Sequence, residues 1–210
     1  MSIRNNTSGS KESVLKGAGE FKMILKNKTN KYAILTLMVL AGLVSCEREL
    51  GVLAPAPFPT DAEVFIDGFG PSIEPKSFSG TKLDALQTDD TDTYDGSSSI
   101  VITIPGPGDP SGSTWSGGAL VAGAARDLSG YNALTFYAKA NKALTLNTVG
   151  FGNDNEAPNP YVAEIANLPI TTSWMQYTIP IPLAEKLVQE QGMFYYSEGQ
   201  EDGEGATIWL

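Results

Sequence analysis

The chain has 210 residues, with 14 Lys and Arg against 24 Asp and Glu, one cysteine and no histidine. The missing histidine excludes Ser-His-Asp, Cys-His and His-zinc chemistry, and a lone cysteine excludes a disulfide framework within the chain. The acidic balance argues against nucleic acid as a partner, because neutralising phosphates requires a basic surface.

The acid is unevenly spread. Residues 1–45 hold seven of the basic and two of the acidic residues, which leaves 7 against 22 and a formal charge of −15 on the remainder. Tyr32 to Val44 is an uncharged apolar run of thirteen residues behind Lys26, Lys28 and Lys31. That is too short for a hydrocarbon core needing roughly 20 residues. A basic start, a short apolar middle and the small pair Ala41-Gly42 are the parts of a secretory signal. Leu43-Val44-Ser45-Cys46 resembles the lipobox of bacterial lipoproteins, which implies that Cys46 becomes the first mature residue and carries the acyl chains. Several acyl chains fix a protein to a membrane where one alone holds marginally. Glu47, Arg48 and Glu49 resemble the export signal of surface lipoproteins in polysaccharide-utilising Gram-negative bacteria. The expected place is therefore the outer membrane, facing outward, with the periplasmic face as the alternative. Residues 1–22 read as an over-called start before Met23, and 23–45 as the signal peptide. Residues 46–60, with Pro55, Pro57 and Pro59, read as a semi-rigid tether.

From residue 61 to 210 the pattern is that of strands. Glu63 to Asp67 reads as the first, and Ser72 to Leu83 as irregular. Leu83 to Thr88 reads as the second, followed by an acidic turn from Asp89 to Gly96. Ser98 to Ile104 alternates, with Ile100, Ile102 and Ile104 on one face. Trp115 to Val121 is a further strand, and Ala133 to Ala140 the clearest, with Leu134, Phe136 and Ala138 inward. Leu144 to Phe151 changes phase at Asn147-Thr148, which predicts a bulge. Tyr161 to Ile165, Trp174 to Ile181, Met193 to Tyr196 and Thr207 to Leu210 complete the strands. Leu183 to Gln191 reads as one short helix closed by Gly192. Short strands between Gly, Pro and Asp turns predict an all-β sandwich.

Asp127-Leu128-Ser129-Gly130-Tyr131 and the strand after it resemble a signature of galactose-binding-domain-like sandwiches, the jelly-roll scaffold of many carbohydrate-binding modules. Tyr94-Asp95-Gly96-Ser97-Ser98-Ser99-Ile100 and Thr172-Ser173-Trp174-Met175-Gln176-Tyr177-Thr178-Ile179-Pro180 resemble two more strands of that scaffold, in the same order. In the turn, Asp127 and Ser129 are expected to bond local backbone and Gly130 to allow positive φ. Trp174 is read as packing rather than as a ligand contact. The resemblance also implies that the last strand stops short at Leu210, so that the sandwich is incomplete and further domains follow.

Sugar binding needs flat aromatic surface and hydroxyl partners. Trp115, in a Gly/Ser-rich stretch, is the stacking candidate, with packing at the sandwich edge as the plainer reading. Asn153 and Asp154 at a loop tip, and Tyr137 and Tyr161 on strands, are the remaining ligand candidates. Asp89, Asp90 and Asp92 crowd one turn, and the resemblance places a structural calcium ligand at Asp67. A solvated acidic turn is the stronger reading, with bound calcium the alternative. The chain is thus read as a lipid-anchored, non-catalytic glycan-binding module whose partner is a polysaccharide. A structural spacer supporting downstream domains is one alternative, and a two-carboxylate glycoside hydrolase is another.

Overall fold

The computed structural model describes residues 56–156, 158–159 and 161–210. The expected start segment, the signal peptide, Cys46 and the tether as far as residue 55 lie outside the described residues. Ten strands form two antiparallel five-stranded sheets. They are β1 (Ile73–Ser77), β2 (Leu86–Asp89), β3 (Ser99–Ile104), β4 (Trp115–Arg126), β5 (Ala133–Ala140), β6 (Leu144–Phe151), β7 (Ala163–Ile170), β8 (Met175–Pro180), β9 (Glu190–Gly199) and β10 (Ala206–Trp209). The first sheet runs β1-β4-β9-β6-β7 and the second β2-β3-β10-β5-β8.

The core lies between the sheets, built by alternation. Ile100, Ile102 and Ile104 of β3 and Ile208 of β10 point into it from the second sheet. Leu120, Phe194, Tyr196 and Val149 meet them from the first. The expected phase change in β6 is present: Leu144 and Leu146 are buried before it, Val149 and Phe151 after it. Opposite, Asn167 of β7 takes a left-handed φ of 57°. One extra residue on each strand re-aims the side chains that follow.

β9 pairs with β6 only from Thr148 to Gly150. Beyond that the strands part, and side chains replace the ladder. The Asn147 N–H donates to the Glu198 carboxylate (2.5 Å), and the Thr145 N–H to that of Glu201 (2.7 Å). Glu198 is 2% exposed, and burial pushes its carboxyl up to about 7. The Asn147 N–H opposes that shift and the charge of Glu201 adds to it.

Three expectations need correction. Glu63 to Asp67 is not a strand; it is a tight loop joined by a single bridge between Phe65 and Phe69, with Asp67 itself left-handed at φ 53°. Ile73 to Ser77, expected to be irregular, is an edge strand, where Pro75 costs little because one side lacks a partner. The helix expected from Leu183 is a single 3-10 turn at Ala184–Lys186. Of its three spaced apolar residues only Leu187 is buried, while Leu183 and Val188 are exposed, so no apolar stripe holds a longer helix. In the turn after β4, the Ser129 N–H and hydroxyl donate to Asp127 as expected, at 3.1 and 2.6 Å. Gly130 is not among the positive-φ residues.

Candidate functional site

The outer face of the first sheet carries the candidate site. Antiparallel partners share a face, so register alone defines a row across all five strands: Lys76, Ala119, Tyr195, Gly150 and Glu164. The next row holds Gly117, Ser197, Thr148 and Ala166. Its residues are mostly small. Ala119, Val121 and Tyr195 point away from the core yet are only 1%, 4% and 4% exposed, packed with Phe78 in a second cluster. Burial on an outward face means that neighbouring side chains cover it, and we read the face as a shallow trough.

Glycine makes the floor low enough for rings to lie on it. A Cβ on Gly117 would stand 2.4 Å from the Trp115 indole and 3.1 Å from the Phe78 ring. A Cβ on Gly150 would stand 2.5 Å from the Tyr195 ring. Aromatic rings over strand glycines recover packing that glycine itself cannot supply. Trp115, the first residue of β4, stays half-buried and presents part of its indole to solvent.

The loop after β6 walls the other end. Gly152, at φ 96°, turns the chain, and its N–H donates to the Gly192 carbonyl on β9 (2.8 Å). A Cβ on Gly192 would meet the Asn153 backbone at 2.6 Å, so the crossing needs glycine beneath it. Asn153 and Asp154 each close a local turn, accepting the N–H groups of Asn155 and Glu156, both at 2.9 Å. Glu156 then lies 3.9 Å from Lys76 on β1. Within the trough the Tyr195 hydroxyl donates to the Glu164 carboxylate. Burial first, and that carboxylate second, hold the phenol well above its usual range. It is a neutral donor at any working pH.

The structure brings Trp115, Asn153 and Asp154 to one face of one sheet, at its two ends. It places Tyr137 and Tyr161 elsewhere. Tyr137 lies on the outer face of the second sheet, stacked on Tyr94 with centroids 3.7 Å apart. Trp174 joins them there, 5.9 Å from Tyr94, with the Lys139 ammonium 5.5 Å above its ring. The Tyr161 hydroxyl accepts the Leu183 N–H (3.2 Å), and its ring packs against the core.

The four aspartates do not converge. Asp67 accepts the Ser97 and Ser98 N–H groups, at 2.6 and 3.1 Å, and these bonds hold its carboxyl below the usual range. Asp89 accepts from Thr91 and from the Trp209 indole N–H, and Asp92 pairs with Lys139. Asp90 is exposed. Among the described residues no group of three or more His, Cys, Asp or Glu is placed to hold a metal ion.

Sequence reasoning missed Phe78, Gly117, Ala119, Glu164 and Tyr195. One signal was available: in Trp115-Ser116-Gly117-Gly118-Ala119-Leu120, alternate positions after the tryptophan are small, as the floor of a cleft on a sheet requires.

Chemically, the trough offers ring surface for the CH faces of a ligand, and Ser197, Thr148, Glu164 and loop amides for hydroxyl groups. A search of curated proteins gave no match. Among solved structures, the chain is similar to a family 30 carbohydrate-binding module at 22% identity and TM-score 0.49, over 70% of this chain and 83% of that one. It is similar to the family 30 module of the cellulosomal cellulase Cel9D-Cel44B of Clostridium thermocellum at 20% identity and TM-score 0.49, over 70% and 92%. A family 11 module of cellulase Lic26A-Cel5E from the same organism shares 12% identity at TM-score 0.45, over 73% and 92%. The model of the family carbohydrate binding domain 30 matches residues 63–201, which takes in all five strands of the first sheet and every strand of the second but β10. The chain belongs to the carbohydrate binding domain 30 family.

Proposed function

We propose that the trough captures a polysaccharide chain without cleaving it, and that the protein does so while anchored by lipid at Cys46 to the outer face of the outer membrane. Family membership supports carbohydrate as the ligand class. One observation carries the location: the Trp115 and Phe78 rings lie over Gly117 on the outer face of the first sheet, with Trp115 left partly exposed. A pyranose stacks there on the indole, while hydroxyl groups along the floor bond its rim. The lipobox-like run before Cys46 supports the anchor, and the charge of −15 beyond the signal suits a module held off an anionic surface.

The test of the site is affinity electrophoresis against a panel of soluble polysaccharides, beside Trp115→Ala and Trp115→Phe. Loss of the indole is expected to weaken retention about tenfold or more, since buried tryptophans dominate such interfaces. Phenylalanine should restore part of it. Unchanged retention in the alanine variant would remove Trp115 from the site. For the anchor, metabolic labelling with an alkyne fatty acid should mark the protein and not Cys46→Ser. Label that persists in the serine variant refutes lipidation at Cys46.

A further inference from the structure

One carboxylate of the trough is exposed to solvent yet fixed by a buried group. Tyr195 of β9 lies across Gly150 of β6, where a Cβ would stand 2.5 Å from the ring, and its hydroxyl donates to Glu164 Oε2 on β7. The tyrosine is buried, whereas Glu164 is exposed. An exposed glutamate ordinarily samples many rotamers, and fixing one costs conformational entropy. Here the phenol fixes it before a ligand arrives, and that is preorganisation. Among the described residues, Glu164 Oε1 has no hydrogen-bond partner, and no Lys or Arg pairs with the carboxylate. The two lysines beside the trough are already matched. Lys76 stands 3.9 Å from Glu156, and Lys82, whose backbone N–H donates to the Trp115 carbonyl, stands 3.0 Å from Asp84 and 3.6 Å from Asp109. With Glu164 and Asp154 added, acids outnumber bases around the trough.

We propose that Glu164 sets the specificity of the trough by charge, with Tyr195 as its positioning residue: the carboxylate accepts hydroxyl groups of an uncharged polysaccharide and repels a chain that carries carboxylates. This rests on the trough being the polysaccharide site. A carboxylate only accepts, and a sugar hydroxyl can donate, so the two are complementary. A hydrogen bond to a charged acceptor is also stronger than one between neutral groups. A uronic acid instead places a second negative charge on the ligand. About 5 Å from Glu164, that charge weakens binding about fourfold even in a water-like dielectric, and by more close to the sheet. Tyr195 touches the ligand only through Glu164: it holds the acceptor in place across Gly150.

Two probes test this: the neutral soluble polysaccharide that the wild type retains best, and the same polymer with its primary hydroxyl groups oxidised to carboxylates. Isothermal titration calorimetry at low salt measures both. Glu164→Gln is expected to bind the neutral polymer severalfold more weakly than the wild type, and the oxidised polymer about fourfold more tightly or better. A side chain that only supported the sheet would weaken both. Tyr195→Phe should weaken neutral binding severalfold in the wild-type background and leave it unchanged beside Glu164→Ala, since it acts through that carboxylate. No gain of affinity for the oxidised polymer in Glu164→Gln overturns the charge selection. An equal loss from Tyr195→Phe in both backgrounds overturns the positioning role. Trp115→Ala separates this inference from the site it rests on. If that variant loses the neutral polymer while Glu164→Gln shifts neither affinity, the inference falls and the trough stands; if neither substitution matters, the trough falls with it.

Discussion

Replacing Glu198 with glutamine should flatten the pH dependence of stability between pH 5 and 7. The carboxyl faces inward on β9, 2% exposed, and its pKa is pushed from 4.5 up to about 7, chiefly by burial. In the folded chain it therefore holds a proton through a range where the unfolded chain has released it. Stability must fall as pH rises from about 4.5 to about 7, and level off above. A shift of that size is worth at most about 3 kcal/mol. Glutamine keeps an oxygen to accept the Asn147 N–H and removes the titration. The chain has no histidine, so few other groups change charge in this window. Glu190 is also raised by burial, has the same sign, and is left in place by the substitution. Urea unfolding at pH 5, 6, 7 and 8 measures both proteins. The wild type should lose stability from pH 5 to 7 and level off towards pH 8, whereas Glu198→Gln should lose much less and be the more stable at pH 8. Parallel curves would refute the reasoning, because the carboxyl would then titrate as an exposed one does.

Further outcomes follow from other buried contacts. The guanidinium of Arg126 is buried and donates to the carbonyls of Asp61 (2.8 Å), Glu63 (3.3 Å) and Pro71, tying the 61–71 segment to the end of β4. Arg126→Met should cost about 2–4 kcal/mol in urea unfolding, because three carbonyls lose a charged donor; a loss below about 0.5 kcal/mol, the range of ordinary surface substitutions, would show the segment is held by other contacts. Gly192→Ala places a methyl 2.6 Å from the Asn153 backbone and should lift the loop at the end of the trough. Polysaccharide retention should weaken and Tm should fall; a variant unchanged in both would show that the loop does not need that crossing.

Much of the fold was legible because burial on one side writes itself into strands with period two. Ala133 to Ala140 and Leu144 to Phe151 read from the chain with the bounds that the structure gives them. The phase change at Asn147 was legible for the same reason, as a break in alternation. What failed lacked that signature. β1 buries only Ile73, and an edge strand with one core residue has no pattern to read. Glu63 to Asp67 carried a strand-like pattern, but Val64 and Phe65 pack from a loop closed by Arg126 and by the left-handed Asp67, while Ile66 is exposed. Such long-range ties leave no local trace.

The site was less legible, for a reason built into sandwiches. A strand with both faces buried has no alternation, and β4 from Ser116 to Ala122 is buried throughout. Periodicity could not say that Leu120 faces the core while Ala119 and Val121 floor a trough. Trp115 could be picked out by its surroundings, but its partners lie on other strands: Tyr195 meets Ala119 only through the β4–β9 register, and Phe78 reaches Gly117 across a turn. Tyr137 shows the converse. Its outward parity on β5 was read correctly, yet parity does not say which sheet a strand joins, and the ring lies on the face away from Trp115. Where alternation is present, face follows from sequence; assembly of a face from five strands follows only from pairing. For this chain that difference separates naming a tryptophan from describing the surface around it.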